Sequence, residues 1–515
     1  MSRFSQGWRA GGLLFPVSSL PTDFGIGDLG PAARDFALFI HEAALSFWQV
    51  LPLGPSSPGL GNSPYSSFSA FAGSELLVSP EELAAEGLLK ESDLKDFRLP
   101  RGGGVDYEAV TRKKTALLDL AFAKVKDGLL QDPEFTGFLD SNGAWLNDYS
   151  LFMALHGFFD GKPWTQWPED IKFRRPGALT YYGEKLSAEI LRLKFGQHRF
   201  FKQLGRLKDE LGKLGIGLIG DLAFYVNHDS ADVWANPALF ALDREGESAV
   251  LAGVQPDYYS KTGQLWGNPV YLWENHRADA YGWWTSRVRH NLGCYDWVRL
   301  DHFRAFAAFW SVPKGEVDAV RGAWRPGPGA DLFRAVLKDG GPLNIISEDL
   351  GIITPDVTEL RKSLDFPGMR VLQFGVGDPT GLSIHCPFRV EPDNAVYSST
   401  HDTDTARGWF SRELTKEGKK ALEILTGQKA DEDNVSWTMI RLAWFSPAAL
   451  ALATVQDLLG LGSEARLNVP GTPSGNWTWR LDDLKALDEA LALRLKTLTQ
   501  TSGRDNFQHP NLLRY

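Results

Sequence analysis

Short apolar runs recur along the chain, and each of them ends in polar residues or in glycine and proline. Eight such runs are GLLFPV from Gly12, FWQVLPL from Phe47, GLIGD from Gly217, WVRLD from Trp297, LNIISED from Leu343, RVLQF from Arg370, AVYSSTHD from Ala395 and LALATVQD from Leu450. Continuously apolar segments of this length are typical of strands in a parallel sheet that is covered on both faces. The pattern therefore predicts eight buried parallel strands.

Helical patterns lie between several of these runs. The segments are PAARDFALFIHEAA from Pro31, HRFFKQLGRLKDELGKLG from His198 and TPDVTELRKSL from Thr354. In the last of them Thr354 is the predicted N-cap and Pro355 occupies the first helical position. Eight strands that alternate with helices predict an α/β fold, a (β/α)8 TIM barrel without a separate C-terminal β-sandwich domain.

The spacing of the predicted strands is uneven. The second and third are separated by the residues between Leu53 and Gly217, far more than one crossover helix requires. We therefore predict a single catalytic barrel domain over 1–515 with two large insertions on its loops. The first covers about 66–195 and is mostly helical; the second covers about 227–280, is rich in Tyr, Trp and Gly, and is predicted to act as a lid-like substrate loop region.

Bulk composition narrows the class of protein. With 43% hydrophobic and 23% charged residues, the sequence is typical of a globular protein. A net charge of −10 argues against nucleic acid as a partner, and no apolar run reaches the ~18 residues of a membrane span. The first residues lack the apolar stretch of a secretory signal. Cys294 and Cys386 form neither a disulfide framework nor a zinc pattern, so we predict a reducing, cytoplasmic location.

Tryptophan is unusually frequent, with 18 residues in the chain. Most tryptophans are expected to pack in the core or between layers of the fold. The alternative for some of them is a role as platforms for flat apolar surfaces, such as the faces of pyranose rings.

Acidic residues follow four of the predicted strands at their C-terminal ends, where TIM barrels carry their chemistry. These strand ends carry Asp221, Arg299 with Asp301, Glu348 with Asp349, and His401 with Asp402. A single strand-end aspartate is usually a cap or a loop residue. Four acidic sites that converge on one rim repel each other and cost stability, so they indicate a functional site.

Paired carboxylates suit glycoside chemistry, in which one acts as nucleophile or base and the other protonates the leaving oxygen. Arg299 and Asp301 are two positions apart and therefore share one face of their strand. The charge of Arg299 is expected to lower the pKa of Asp301 and keep that group ionised. The surrounding carboxylates are expected to raise the pKa of Glu348, as a general acid requires.

Three segments resemble the signature segments of the amylomaltase or 4-α-glucanotransferase (disproportionating enzyme) family, which is related to α-amylases. They are RLDHFR from Arg299, SEDLG from Ser347 and STHDTDT from Ser399. The resemblance extends to LPLGPSSPGLGNSPYSSFSAFAGS around Tyr65, GVQPDYYSKTGQLWGNPVY from Gly253, PGMRVLQF from Pro367 and VQDLLGLGSEARLNVPGTPSGNWTWR from Val455. It covers nearly the whole chain.

This resemblance implies an enzyme that transfers a segment of an α-1,4-glucan to a new acceptor sugar by a retaining double displacement. It implies Asp301 as nucleophile, Glu348 as general acid/base and Asp402 as the carboxylate that stabilises the transition state. The implied substrate-binding residues are Tyr65, Asp221, Arg299, His401, Asp257, Gln264, Trp266, Asn268 and Asn476. The implied partners are maltooligosaccharides, starch or glycogen fragments as donors and a sugar as acceptor, with no nucleic acid, membrane or cofactor.

Some residues near the implied site are expected to be structural. These are His302, on the opposite side of a regular strand from Asp301, Asp349, bonded to backbone, and Asp404, in a loop or cap. The sequence departs from the family pattern in one segment: Ala223 stands where proline is frequent, and His228 follows Asn227 as in α-amylases.

Two other functions fit the same residues. An α-glucan hydrolase would release reducing ends steadily from maltotriose, whereas a transferase would give glucose and a ladder of longer oligomers. An inert glucan-binding barrel is the second alternative, and the presence of all three carboxylates argues against it. A plastid location is the alternative to the cytoplasm if a transit peptide has been removed.

Overall fold

The computed structural model describes residues 7–56, 58–256, 260–378, 380–472 and 474–505. Within these residues the chain forms twelve strands: β1 (Ala10–Leu14), β2 (Phe47–Gln49), β3 (Gly217–Leu222), β4 (Val250–Val254), β5 (Gln264–Pro269), β6 (Trp297–Leu300), β7 (Ala308–Pro313), β8 (Ala323–Pro326), β9 (Ile345–Ser347), β10 (Gly368–Val371), β11 (Asn394–Tyr397) and β12 (Leu450–Thr454).

The same described residues form nineteen α-helices. They are α1 (Pro31–Glu42), α2 (Pro80–Ala85), α3 (Glu91–Leu94), α4 (Tyr107–Val125), α5 (Pro133–Phe158), α6 (Glu169–Lys172), α7 (Pro176–Lys185), α8 (Ser187–Lys213), α9 (Ala231–Ala235), α10 (Trp273–Ala278), α11 (Gly282–Cys294), α12 (Ala330–Lys338), α13 (Pro355–Ser363), α14 (Gln373–Val376), α15 (Ala406–Arg412), α16 (Lys416–Thr426), α17 (Val435–Phe445), α18 (Val455–Leu458) and α19 (Glu489–Thr501).

Eight strands close into a barrel in the order β1-β12-β11-β10-β9-β6-β3-β2, and every neighbouring pair is parallel. They coincide with the eight apolar runs, so the predicted TIM barrel is confirmed. Strands β3 and β6 are buried along their whole length, as expected for strands covered on both faces. The register pairs Leu222 with Leu300 and Leu300 with Ser347, which brings the residues after these strands side by side.

The barrel helices begin close to where the sequence predicts them. Helix α1 begins at Pro31 and buries Phe36 and Ile40 on one face, the i, i+4 spacing of an amphipathic helix. Helix α13 begins at Pro355, after Thr354 as predicted. Helix α8 begins earlier than its predicted start because Phe195 extends its buried face toward the N-terminus.

Seven helices, α2 to α8, fill the long stretch between β2 and β3. A buried ion pair attaches α4 to the barrel: Nζ of Lys114 lies 2.9 Å from the Asp28 carboxylate, and both side chains are almost fully buried. Lys114 also donates to the carbonyl oxygen of Val78. This helical layer therefore packs on the barrel through a specific charged contact as well as apolar surface.

A second sheet, which the sequence analysis does not predict, has the strand order β5-β4-β7-β8 and antiparallel pairing. Strand β5 includes Gln264, Trp266 and Asn268, which the sequence places in a loop. The segment forms a strand because its backbone pairs with β4, from Val254 opposite Gln264 to Leu251 opposite Pro269. The sheet lies beside the barrel segment that follows β6.

In the part of the chain that the structure describes, no helix combines the length and apolar character needed to cross a membrane.

Candidate active site

Arg299 lies at the centre of what we call the site floor: Asp221, Arg299, Asp301 and Glu348 at the ends of β3, β6 and β9. Its Nη1 atom lies 2.9 Å from both carboxylate oxygens of Asp221 and 3.0 Å from Oδ1 of Asp301. The Arg299 side chain is 3% exposed. Because a buried charge requires partners, the arginine and the two carboxylates hold each other in place.

Asp301 follows the last residue of β6 and keeps about a quarter of its side chain exposed, at 27%. Burial raises the pKa of Asp301 to about 6, with Asp221 and Asp402 adding to the rise and Arg299 opposing it. Arg299 lowers the pKa of Asp301 as predicted, but desolvation of the carboxylate outweighs this contribution, so the net shift is upward. A group with this pKa is still mostly ionised at neutral pH.

Glu348 follows the last residue of β9 and points its carboxyl group at two backbone donors. Oε2 accepts a hydrogen bond from the N–H of His302 and Oε1 from that of Leu350, each at 2.7 Å. Burial raises the pKa of Glu348 to about 8; Asp301 adds to the rise, while Arg299 and the two N–H groups oppose it. The predicted direction is confirmed, but burial contributes more than the neighbouring carboxylates do.

Asp402 belongs to the site rim, which we define as Asp402 with residues 466–472 and 474–477. The Nδ2 atom of Asn468 donates to Oδ1 of Asp402 at 2.7 Å, and Nε2 of His401 lies 3.1 Å from Oδ2. Arg466 donates to the Asp402 carbonyl oxygen at 3.1 Å. Burial raises the pKa of Asp402, but His401 and the hydrogen bonds from His401 and Asn468 outweigh it and hold the pKa well below its ordinary value.

Tyr65 connects the rim to the floor. Its hydroxyl oxygen lies 2.7 Å from Oδ2 of Asp221 and 2.8 Å from Nε2 of His401. Burial, reinforced by Asp221, raises the pKa of Tyr65 far above its ordinary value. The phenol therefore stays protonated and donates a hydrogen bond to Asp221. Nε2 of His401 then faces two acceptors, Tyr65 and Asp402, and we assign the proton to that nitrogen. The Tyr65 ring also stacks on His401, with centroids 5.3 Å apart.

His302 does not continue the strand that ends at Leu300. Its backbone is left-handed, with φ at 50°, which turns the side chain toward β5. The imidazole meets the Trp266 ring edge to face at 4.9 Å. Burial, with Arg304 adding, lowers the pKa of His302 to about 3, so the ring is neutral. The expectation of a regular strand position is wrong because β6 ends before Asp301.

The other implied substrate-binding residues lie on β5 and beyond the barrel. The Trp266 indole donates to the Gln264 side chain at 3.1 Å and is 38% exposed. Asn268 donates to the Val226 carbonyl oxygen at 2.9 Å. Asp257 lies outside the described residues. The hydrogen bond from Trp266 to Gln264 and the ring contact of Trp266 with His302 connect β5 to the residue that follows Asp301.

Asn476 is half-buried at the rim. Its side-chain oxygen accepts from the N–H of Val469 at 2.9 Å, and its Nδ2 donates to the Thr472 carbonyl oxygen at 3.1 Å. Next to it, Trp477 is buried and has a left-handed backbone with φ at 64°. Its ring lies 6.0 Å from that of Tyr65, so the rim packs directly on the residue that reaches the floor.

Asp349 and Asp404, which are expected to be structural, accept hydrogen bonds from the backbone. Asp349 accepts from the Met369 N–H at 2.7 Å, and Asp404 accepts from the Thr405 N–H at 2.8 Å. His228 bonds a backbone carbonyl oxygen through Nε2 at 2.9 Å. In the described part of the chain no group of three or more His, Cys, Asp or Glu residues is arranged to hold a metal ion.

Asn468 is a site residue that the sequence reasoning missed. It lies 66 positions from Asp402 in the sequence, inside a segment quoted only for its resemblance. No local periodicity or spacing connects the two residues. The pair forms only because the segment after β12 crosses back over the end of β11.

The barrel carries two neighbouring carboxyl groups at its strand ends, and their pKa values are shifted to different extents. This combination is typical of barrel enzymes that act on glycosidic bonds. A family model described as 4-alpha-glucanotransferase matches residues 15–486. The chain belongs to this 4-alpha-glucanotransferase family.

Curated relatives and a solved structure agree with this assignment. A 4-alpha-glucanotransferase of Aquifex aeolicus (strain VF5) is 46% identical over 476 residues, 92% of this chain and 96% of that protein. One of Synechocystis sp. (strain ATCC 27184 / PCC 6803 / Kazusa) is 45% identical over 504 residues, 96% of this chain and 98% of that protein. The amylomaltase from Streptococcus agalactiae in complex with acarbose is 35% identical and has a TM-score of 0.91. The match covers 96% of this chain and 99% of that chain.

Proposed function

We propose that this 4-alpha-glucanotransferase works by a retaining double displacement with Asp301 as nucleophile and Glu348 as general acid/base. Asp301 attacks the anomeric carbon while Glu348 protonates the departing glycosidic oxygen, and a covalent glucosyl-enzyme forms. Glu348 then takes the proton of an incoming sugar hydroxyl. That hydroxyl attacks the anomeric carbon, releases Asp301 and restores the α configuration.

The observation that carries this proposal is the register of β6 and β9. Leu300 pairs with Ser347, so Asp301 and Glu348 are the next residues along two adjacent parallel strands. Neighbouring strands lie about 4.8 Å apart. This spacing favours the ~5–5.5 Å carboxyl separation of retaining enzymes over the ~6.5–9.5 Å that leaves room for an inverting water.

The ionisation of the two groups supports the same assignment. The pKa of Asp301, about 6, leaves it a carboxylate at neutral pH, as a nucleophile must be. The pKa of Glu348, about 8, leaves it protonated, as a general acid must be. Because the groups interact, their protons leave in two steps that belong to the pair.

Asp402 has a third role in this proposal. Its pKa is held well below the ordinary value, so it is permanently ionised in the working range. A fixed negative charge beside the reacting sugar stabilises the positive charge that develops at the anomeric carbon in the oxocarbenium-like transition state. Tyr65 and His401 fix its position relative to Asp221.

The donors we propose are maltooligosaccharides, starch or glycogen fragments, and the acceptor is the 4-hydroxyl of another sugar. Transfer requires the acceptor to compete with water at the intermediate. Trp266, exposed beside His302, and the rim around Asn476 are proposed to line the glucan cleft. The amylomaltase solved in complex with acarbose supports sugar binding in this fold.

Product analysis on maltotriose tests the proposal. We expect glucose and a ladder of longer oligomers, with no net gain of reducing ends. Proton NMR of the longer oligomers should show the α configuration at the newly formed linkage. A steady rise in reducing ends would favour the hydrolase, and a β configuration at the new linkage would exclude the double displacement. A chain that leaves maltotriose unchanged would point to an inert binding protein.

A further inference from the structure

Glu348, as the general acid/base of the proposed function, marks the acceptor side of the cleft. A general acid/base acts on the oxygen that leaves with, or arrives with, the acceptor sugar. The groups around the reacting sugar come from the ends of β2, β3, β6 and β11. The acceptor therefore extends outward past Glu348, over the segments after β6 and β9.

An exposed tryptophan is attached to those two segments. Trp324 lies on β8, whose four residues are all exposed, and it is 37% exposed itself. The guanidinium of Arg304 lies over its indole ring, 3.9 Å from the ring centroid. Arg304 is three residues after Asp301, and its Nη1 donates to the carbonyl oxygen of Ile352, four residues after Glu348.

The indole is held in one orientation. Its Nε1 donates to the Gln255 side chain at 3.1 Å, and Trp310, its partner across β7 and β8, meets it edge to face at 5.3 Å. Arg304 is itself buried, at 8% exposed. A rigid aromatic side chain loses little conformational entropy when it binds a ligand, so its exposed surface is well suited to stack on a sugar.

We propose that Trp324 is an acceptor-binding residue, which stacks on a glucose unit of the acceptor beyond the unit that attacks the intermediate. This role rests on the proposed function. The substrate class is an α-1,4-linked acceptor of two or more units. In this proposal a single glucose whose 4-hydroxyl lies at Glu348 does not extend as far as Trp324. The residue therefore determines preference for acceptor length and leaves the chemical steps unchanged.

The test uses α-maltosyl fluoride whose terminal 4-hydroxyl is blocked, so that the donor cannot serve as acceptor. Fluoride release in a single turnover without acceptor reports the first step, and transfer to glucose or to maltotriose reports the second. For Trp324→Ala we expect the acceptor KM for maltotriose to rise about three- to tenfold, the size of one lost aromatic contact. We expect the KM for glucose, kcat at saturating maltotriose and fluoride release to change less than about twofold.

Two further variants keep the outcome interpretable. Trp324→Phe retains an aromatic ring and should recover most of the maltotriose KM. Val317→Ala removes a 92% exposed apolar side chain from the turn between β7 and β8 and should change nothing, which controls for damage to the sheet.

An equal rise in KM for both acceptors, or no rise, would overturn the proposal. Slower fluoride release with a displaced pH profile would overturn it as well, since it would show that Trp324 acts through Arg304 on the floor. If wild-type enzyme transferred to no acceptor at all, the proposed double displacement would fail, and that result would be visible without any variant.

Discussion

The floor and the rim of the site both carry carboxylates, but they control ionisation in opposite ways. On the floor, burial raises the pKa of Asp301 to about 6 and that of Glu348 to about 8. At the rim, Asp402 keeps 46% of its side chain exposed and has a depressed pKa, because His401 and Asn468 bond to it. The floor thus provides groups that exchange protons near neutral pH, whereas the rim provides a permanent charge.

The largest effect is expected from Asp301→Asn on the floor. The amide cannot form the covalent intermediate, so kcat on maltotriose should fall by a factor on the order of 10⁴ or more. Arg299 retains Asp221 as a partner, at 2.9 Å, so the fold should survive. Product release measured over long incubation, with circular dichroism as the check on folding, tests this expectation.

The stability of the same variant checks the sign of the floor's pKa shift. A carboxyl group with a raised pKa stabilises the folded state below its ordinary pKa, and this contribution is lost as pH rises through the raised value. Asparagine stays neutral throughout. The Tm of Asp301→Asn relative to wild type should therefore increase from about pH 4 to about pH 6 and level off above that range, and a relative Tm that falls over the same range would contradict the raised pKa.

Glu348→Gln should reduce transfer from maltotriose by about 10²–10⁴-fold, the usual contribution of a general acid. A fluoride leaving group needs no protonation. Fluoride release from α-maltosyl fluoride should consequently remain within about tenfold of wild type in a single turnover, while subsequent transfer stays slow. If the variant loses both reactions equally, Glu348 is not the acid.

The pH dependence of wild-type kcat/KM should be bell-shaped. Activity requires Asp301 ionised and is lost as pH falls through about 6, and it requires Glu348 protonated and is lost as pH rises through about 8. Each limb should approach about tenfold per pH unit. With α-maltosyl fluoride as donor in single turnover, the upper limb should weaken, because the first step no longer needs the acid.

The same contrast explains how much of the molecule the sequence predicts. The barrel follows from eight apolar runs, and the floor follows from polar residues at the ends of those runs, since strand ends of a parallel barrel meet at one edge. The sign of the Asp301 shift does not follow, because it depends on how completely the finished fold excludes water. In the folded chain, burial of the carboxylate outweighs the opposing charge of Arg299.

The rim and the second sheet are harder to predict because their contacts join distant segments. Asn468 meets Asp402 across 66 residues, and Trp324 reaches Gln255 across 69. The sheet combines β4 and β5 with β7 and β8, which lie on either side of β6 in the sequence. No periodicity or turn signal within one segment specifies a contact with a segment so far away in the sequence. Local patterns therefore do not predict the rim or the second sheet.

The smallest and most specific effect is expected at the rim, from Asn468→Asp. This variant has the same shape as wild type, but it replaces the amide that donates to Asp402 with a second carboxylate. Like charges at hydrogen-bond distance repel each other, so the pKa of Asp402 should rise. The added negative charge should also raise the pKa of Asp301, which sets the acid limb and already responds to the charge of Asp402. We expect kcat/KM at pH 7 to fall about tenfold and the acid limb to move up by roughly one pH unit.

Asn468→Ala separates this electrostatic effect from a loss of positioning. Alanine removes the donor without adding charge, so activity should fall by a similar factor while the acid limb moves much less. Melting temperatures of both variants should stay near wild type, because Asp402 remains accessible to water and keeps His401 as a partner. If both variants left the acid limb and the activity unchanged, the depressed pKa of Asp402 would owe nothing to Asn468. The rim would then resemble the floor, with ionisation set by its surroundings and not by one hydrogen bond.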